Sequence, residues 1–238
     1  EAEVERRLKN WGFEQMNIEE GRGGPFGGEG QRQPGTGLWR LPVASHRALT
    51  PEAPGWDAID AALARLVGET VPTYWASGMT DFRWGVRGIS AYPRQGHWLL
   101  VTYGLSTLYV GSGVTSAGIG FGEELTIRVQ ARDTEEGPPG WAVRLLEVLG
   151  QLVYQRSAPL LPGAKSSVHA DDGPASLLAF TEDPELPALE TDLGPVQFVA
   201  VVPVSSPTYQ QMRTSSVNAV IDELRSRDPL LVVESRAG

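Results

Sequence analysis

The stretch that decides the fold runs from Gly118 to Gln130 and reads Gly-Ile-Gly-Phe-Gly-Glu-Glu-Leu-Thr-Ile-Arg-Val-Gln. Its first half alternates glycine with apolar residues. Its second half alternates apolar with polar residues, which is the period of a β-strand with two unlike faces. A dinucleotide-binding loop follows a strand and opens a helix, whereas these glycines open a strand, so the pattern argues against such a cofactor. Glycines that enter a strand are typical of a bulge, a tight bend or a close backbone approach by another chain.

Two adjacent carboxylates, Glu123 and Glu124, begin this strand. Successive strand residues point to opposite faces, so the two cannot act together as a catalytic pair. One of them must face the core or a neighbouring strand, where a carboxylate needs hydrogen bonds or an ionic partner. A partnered structural glutamate is the more common reading, and a role in binding is the alternative.

A second decisive stretch precedes the glycines. The apolar run from Trp98 to Tyr103 predicts a strand, and Tyr109 ends the strand-like residues that follow it. A tyrosine at a strand end is either a core residue with a solvent-exposed hydroxyl or an anchor for a bound peptide. The periodicity of the sequence does not distinguish these two roles.

Three segments carry the spacing of amphipathic helices. The first follows Pro54-Gly55. The second opens at Pro138-Pro139, where proline suits a first helical turn, and the third starts after Ser215 or Ser216 as N-cap. Their apolar stripes are Trp56, Ile59, Leu63, Leu66 and Val67; Trp141, Leu145, Leu149, Leu152 and Val153; and Val217, Val220, Ile221 and Leu224.

Further strands are predicted at residues 177–180, 196–202 and 230–233. Alternating and continuous apolar strands together predict an α+β fold, with a mixed β-sheet flanked by helices. Residues 1–50 read as a short N-terminal helix followed by a glycine-rich linker, since eight glycines lie between Gly21 and Gly37. We therefore place the folded domain at residues 51–238.

Composition limits the classes of partner. The 238 residues carry 20 basic and 29 acidic side chains, a formal net charge of −9, which disfavours nucleic acid and anionic membranes as partners. The longest apolar run, residues 198–202, is far shorter than a membrane span of roughly 20 residues. Because the chain has no cysteine, disulfides and zinc-thiolate sites are excluded and a cytoplasmic location is permitted.

The sequence contains few patterns that are typical of a catalytic site. The three histidines are scattered, and none has the helical i+4 spacing of a metal-binding pair. His169 lies near Asp171 and Asp172, a pattern that favours a solvated loop over a metal site. We expect no metal, no cofactor and no catalytic residue. A hydrolase built on His97 or His169 with nearby acids is the enzymatic alternative.

Six ordered motifs between about residues 54 and 235 resemble the N-terminal domain of the Suppressor of fused family, as found in its compact single-domain bacterial form. They are Pro54-Gly55-Trp56-Asp57-Ala58-Ile59-Asp60, His97-Trp98 with Thr102 to Tyr109, Gly120 to Arg128, Pro139-Gly140-Trp141, Thr181-Glu182-Asp183-Pro184 and Gly194-Pro195-Val196-Gln197-Phe198.

The resemblance implies a non-catalytic protein-binding module. Animal relatives hold a short transcription-factor peptide in β-strand fashion, and their key tyrosine and strand glutamate correspond to Tyr109 and Glu124. Pairing of main chains with an aromatic anchor is the β-augmentation mode of peptide recognition. We therefore expect the partner-binding residues to be Tyr109, Ser116, Phe121, Gly122 and Glu124.

Two departures separate this chain from the animal members. The acidic residue that contacts the peptide histidine there lies near Ser116 here, which carries no charge. A phenylalanine of the family motif is replaced by Glu123. Bacterial members look like immunity proteins, so the leading hypothesis is a cytoplasmic protein-binding module of toxin-immunity type, whose partner is a polymorphic toxin or another polypeptide. A regulatory domain of a larger polypeptide is the second hypothesis.

Overall fold

The computed structural model describes residues 31–33, 36–41, 54–77, 86–106, 121–132, 137–169, 176–191 and 194–234. Ten strands and four helices lie in this part of the chain. In chain order they are β1 (Gln31–Arg32), β2 (Leu38–Leu41), α1 (Pro54–Val67), β3 (Thr73–Ser77), β4 (Gly88–Arg94), β5 (His97–Tyr103), β6 (Glu123–Gln130), α2 (Gly140–Arg156), β7 (Lys165–Val168), β8 (Ser176–Glu182), β9 (Leu189–Thr191), β10 (Gly194–Pro203), α3 (Ser206–Thr214) and α4 (Val217–Arg227).

The strands form one mixed sheet in the order β1-β2-β3-β4-β5-β6-β10-β8-β7, with β9 paired to the start of β10. The β6 and β10 strands are parallel, with Glu124 opposite Phe198, and the other pairs are antiparallel. A parallel pair needs a long crossover, which here contains α2, β7, β8 and β9. The predicted α+β class with a mixed sheet is confirmed.

Helices cover both faces of the central strands. On one face, α2 packs through Leu145 and Leu149 against residues such as Leu100 and Ile127. On the other, α1 packs with Leu99 and Val101 among the residues of a second apolar cluster. Because neighbouring residues of β5 enter opposite cores, that strand reads as a continuous apolar run.

The three predicted helices are confirmed as α1, α2 and α4. Ser216 is the N-cap of α4, and its hydroxyl accepts a hydrogen bond from Ala219 N. The structure also contains α3, which the apolar pattern missed because Met212 is its single buried residue. The predicted helix in residues 1–20 lies outside the described residues.

Two predictions are corrected. The glycine-rich linker does not include residues 31–33 and 36–41, because β1 and β2 lie there and Leu38 to Leu41 pair with β3. Leu38 and Leu41 are buried, so this segment belongs to the sheet and not to a solvated linker. Residues 230–233 do not form a strand, since only Val233 bridges to Val129. The division of the chain at residue 51 stays a prediction.

Candidate partner-binding site

The described residues of the predicted site, Phe121, Gly122 and Glu124, lie at the start of β6, and Glu124 accepts hydrogen bonds from the end of β5 and the residues that follow it. This carboxylate is 0% exposed. Oε1 accepts hydrogen bonds from Gly104 N at 2.9 Å, Ser106 N at 3.0 Å and Ser106 Oγ at 2.6 Å. Oε2 accepts from Thr102 Oγ1 at 2.7 Å. Glu124 therefore joins the start of β6 to the backbone that leaves β5.

Burial raises the pKa of Glu124, and the hydrogen bonds from Ser106, Thr102 and Gly104 oppose this increase. These donors are uncharged hydroxyl and amide groups, so hydrogen bonds from neutral dipoles stabilise the carboxylate. The structure thus places Glu124 as a buried, partnered carboxylate. From this position it holds the backbone of residues 104–106 and has no exposed surface.

Glu123 has different surroundings, although it is adjacent in sequence. It is 3% exposed, and both carboxylate oxygens lie 3.0 Å from Leu160 N. Burial raises its pKa to about 7, the Leu160 N–H opposes the increase, and the nearby charge of Glu124 adds to it. We expected one of the two glutamates to be buried and hydrogen-bonded, and in the structure both Glu123 and Glu124 are.

Phe121 and Gly122 hold the other side of the site. Phe121 N donates to Leu105 O at 2.9 Å, and its half-buried ring packs edge-on against Tyr154, with centroids 5.4 Å apart. Tyr154 also donates from its hydroxyl to Gly104 O at 3.3 Å. The two backbone segments that flank residues 107–120 are therefore bonded to each other and to α2.

Gly122 is required by its backbone conformation. Its φ of 64° lies in the left-handed region, and a Cβ here would stand 3.3 Å from Pro195 O. Its carbonyl accepts from Gln197 N at 2.8 Å, which joins the end of the glycine cluster to β10. The close approach at this position is therefore to β10 of the same chain, and an approach by another chain stays a prediction. The predicted site residues Tyr109 and Ser116 lie outside the described residues.

The residues considered for catalysis do not form a triad in the described part of the chain. His97 is buried at the start of β5, with Nδ1 3.1 Å from Gln95 O. His169 is exposed, and the acids near it in sequence lie outside the described residues. Across the described ranges, no three His, Asp or Glu side chains are grouped to hold a metal ion.

Sequence reasoning missed a second polar cluster on the same face of β6. Arg128 and Asp183 form a buried, two-pronged ion pair, with nitrogen to oxygen distances of 2.7 and 2.9 Å. Thr126 Oγ1 donates to Asp183 at 2.6 Å, and Arg128 also bonds Glu185. Burial raises the pKa of Asp183, but the hydrogen bonds and charge of Arg128 outweigh it and place the pKa below its usual value.

The signal for this cluster was present in the strand period. Glu124, Thr126 and Arg128 alternate with Leu125, Ile127 and Val129, so the polar residues share one face. That pattern usually indicates a solvated face, whereas here all three are buried against residues from other parts of the chain. The partner, Asp183, belongs to the Thr181 to Pro184 motif.

Comparisons with known proteins bear on this arrangement. Residues 84–236 match the family model described as Suppressor of fused protein (SUFU). The human Suppressor of fused homolog is 28% identical over 155 residues, which are 60% of this chain and 32% of that protein. The mouse homolog is 27% identical over 186 residues, 69% of this chain and 38% of that protein. The chain thus spans about a third of the length of these curated relatives.

Two solved structures share the fold. One, described as the Sufu-Fu complex crystal structure, matches with a TM-score of 0.65 and 23% identity over 76% of this chain and 89% of that chain. The other, the crystal structure of Drosophila Suppressor of Fused, matches with a TM-score of 0.67 and 23% identity over 76% of this chain and 50% of that chain. None of the helices in the described ranges has the length and apolar character that crossing a membrane requires.

Proposed function

Because this chain belongs to the Suppressor of fused family, we propose that it is a non-catalytic module that binds a polypeptide partner. The observation that carries the proposal is the family match together with the hydrogen-bonded frame around residues 107–120. A structure of this fold is described as a Sufu-Fu complex, so a relative with the same architecture associates with a protein.

The proposed site comprises Tyr109, Ser116, Phe121, Gly122 and Glu124. Tyr109 is its aromatic anchor, Ser116 a polar contact, and the half-buried Phe121 adds apolar area. Gly122 and Glu124 contribute indirectly, because Gly122 sets a left-handed turn and Glu124 fixes Gly104 and Ser106. The arrangement supports a site whose ends are positioned before the partner arrives, which lowers the entropy lost on binding.

The charge of the chain supports a basic partner, and we extend the proposal to a cytoplasmic bacterial immunity protein that neutralises a polymorphic toxin. A net charge of −9 steers a basic protein towards this chain over distances of about a Debye length, roughly 8 Å in physiological salt. We expect the association rate to fall steeply with added sodium chloride in stopped-flow measurements. A salt-independent rate contradicts the electrostatic part of the proposal.

Site-specific photo-crosslinking tests the proposed site. A photoreactive phenylalanine analogue is placed at Tyr109 in one preparation and at Tyr209 in a matched control, since Tyr209 is a half-buried tyrosine on α3. After incubation with lysate of the source organism, we expect a defined polypeptide adduct from position 109, identified by mass spectrometry. Equal adducts from both positions contradict the site, and no adduct from position 109 contradicts the proposal that it is a partner contact.

A further inference from the structure

We propose that Glu123 is a pH-sensitive latch. With its carboxyl protonated, it stays buried and holds the segment after α2 against the start of β6. When the carboxyl ionises, it turns towards solvent and releases that segment. The latch is a property of the free chain and is tested without a partner, whereas its effect on partner binding rests on the proposed function.

Glu123 is poorly placed to carry a negative charge, as a comparison with Glu124 shows. The alternation of β6 sends the two side chains to opposite faces of the sheet. Glu124 accepts four hydrogen bonds, whereas among the described residues Glu123 has one donor, Leu160 N, which lies 3.0 Å from both of its oxygens. An ionised carboxylate offers about four acceptor sites, and because Glu123 is 3% exposed, water has little access to those that remain.

The segment that Glu123 holds, residues 157–161, has few buried contacts. It follows α2 at Ser157, which caps the helix in the left-handed conformation with a φ of 51°. Leu160 is the one buried residue of this segment. Its side chain packs in the apolar core, and its N–H donates to Glu123. Segments with exposed residues and few buried contacts open locally at a small cost in free energy, so the bond to Glu123 matters for this one.

The charges around Glu123 favour its protonated form. Among the described residues, the charge that acts on it is the carboxylate of Glu124 from its own strand, and the segment after α2 contributes the uncharged N–H of Leu160. Burial raises the pKa of Glu123 to about 7, the Leu160 N–H opposes the increase, and the charge of Glu124 adds to it. An ionised Glu123 would be buried beside a second carboxylate with a single donor, and turning towards solvent removes both costs.

The sign and size of the effect follow from the pKa in each form. The latched carboxyl keeps its proton up to a pH of about 7, whereas an unperturbed glutamate loses it at about 4.5. The ratio of released to latched chain therefore rises with pH between these two values and is constant above them. The total increase is about 300-fold, of which about tenfold falls between pH 6 and pH 8.

The latch lies next to the proposed partner-binding site. Phe121 and Gly122 directly precede Glu123, and the ring of Phe121 packs against Tyr154 near the end of α2. Release of the segment after α2 loosens this end of the site, so partner affinity should decrease as pH rises from 6 to 8. A failed crosslink at position 109 overturns the proposed function but not the latch, which is measured in the free chain.

Hydrogen–deuterium exchange of the free full chain, followed by NMR at pH 6 and pH 8, tests the latch. Each exchange rate is compared with the intrinsic rate at the same pH to give a protection factor. We expect the protection factor of Leu160 N to fall about tenfold between the two pH values. Leu186 N is the matched control and should keep its protection, because it donates to the buried Asp183 at 2.8 Å and the pKa of that carboxyl is lowered.

A Glu123→Gln variant assigns the effect to this carboxyl. Glutamine does not ionise, so the protection of Leu160 N should be the same at both pH values. The inference is overturned if the protection of Leu160 N does not change in the original protein, if that of Leu186 N falls equally, or if the variant retains the fall. The first two outcomes need no variant, so they decide the question even where Glu123→Gln does not fold.

Discussion

Two buried charged clusters lie on one face of β6 and are satisfied in opposite ways. At one end of the strand, the Arg128 guanidinium neutralises Asp183 directly. At the other end, Glu124 is surrounded by four hydrogen bonds from uncharged hydroxyl and amide groups. The pKa of Asp183 is consequently lowered and that of Glu124 raised.

The two clusters also differ in what they connect, and this suggests one role in stability and another in positioning the proposed site. The Arg128–Asp183 pair joins β6 to the segment after β8, because Asp183 also accepts hydrogen bonds from Glu185 N and Leu186 N. The Glu124 cluster joins the two backbone segments that enter and leave residues 107–120. We interpret the first cluster as a device that holds the sheet together, and the second as one that orients the proposed partner-binding site.

The largest expected effect comes from breaking the ion pair. Arg128→Leu leaves Asp183 buried without its cation, which should lower the free energy of unfolding by about 3–5 kcal/mol. Urea denaturation measures the loss. The double variant Arg128→Leu/Asp183→Leu is the control and should recover much of the stability, since it removes both charges. A loss below about 1 kcal/mol in the single variant contradicts the role given to this pair.

The next effect concerns pH and Glu123. Its pKa is about 7 in the folded protein, compared with 4.5 for an unperturbed glutamate. The folded state holds the proton more tightly, so this stabilisation is fully present below pH 4.5 and is lost as pH rises through 7. The difference corresponds to about 3 kcal/mol at most.

A Glu123→Gln variant isolates this contribution, because glutamine keeps an acceptor for Leu160 N but does not ionise. We expect the variant to match the original protein near pH 4.5 and to be more stable above pH 7, as measured by urea denaturation across that range. The pH dependence of stability is also measured for Glu147→Gln, since Glu147 is a buried carboxylate on α2. Identical pH dependence of the Glu123→Gln variant and the original protein refutes the assignment.

A smaller effect tests the turn that opens β6. Gly122 and Gly96 both have positive φ, but a Cβ at Gly96 meets nothing within 4 Å, whereas one at Gly122 approaches Pro195 O. Alanine at Gly96 should therefore cost only the backbone strain, about 1–2 kcal/mol. Alanine at Gly122 should cost more, and thermal unfolding of the two variants measures the difference. Equal losses contradict a close approach between this turn and β10.

The sequence predicted the parts of the fold that local patterns specify. The apolar stripes placed α1, α2 and α4, and the alternation after Gly122 placed β6. The strands β1 and β2 were missed because their short, glycine-flanked segments gain strand structure from pairing with β3. The strand predicted at residues 230–233 was wrong for the opposite reason. The run is apolar, but only Val233 pairs with another strand, through a single bridge to Val129.

The partner-binding site itself stays a prediction, and the surroundings of its described residues Gly122 and Glu124 could not be predicted from the sequence. The motif match indicated Glu124 and Gly122, yet the donors that surround the two glutamates come from distant residues. Ser106 is 18 positions from Glu124, and Leu160 is 37 positions from Glu123. No local period carries that information, so the burial of both carboxylates became visible only in three dimensions.

The most direct test of the account compares Glu124→Gln with Glu147→Gln in binding to the polypeptide captured at Tyr109. Glu147 is a matched control, since it is a buried carboxylate that accepts a backbone hydrogen bond, from Gly37 N, on a different element. We predict that Glu124→Gln weakens the Kd by about tenfold or more, equivalent to about 1.4 kcal/mol, while Glu147→Gln changes it little. Equal affinities for the two folded variants contradict the claim that Glu124 positions the partner-binding site.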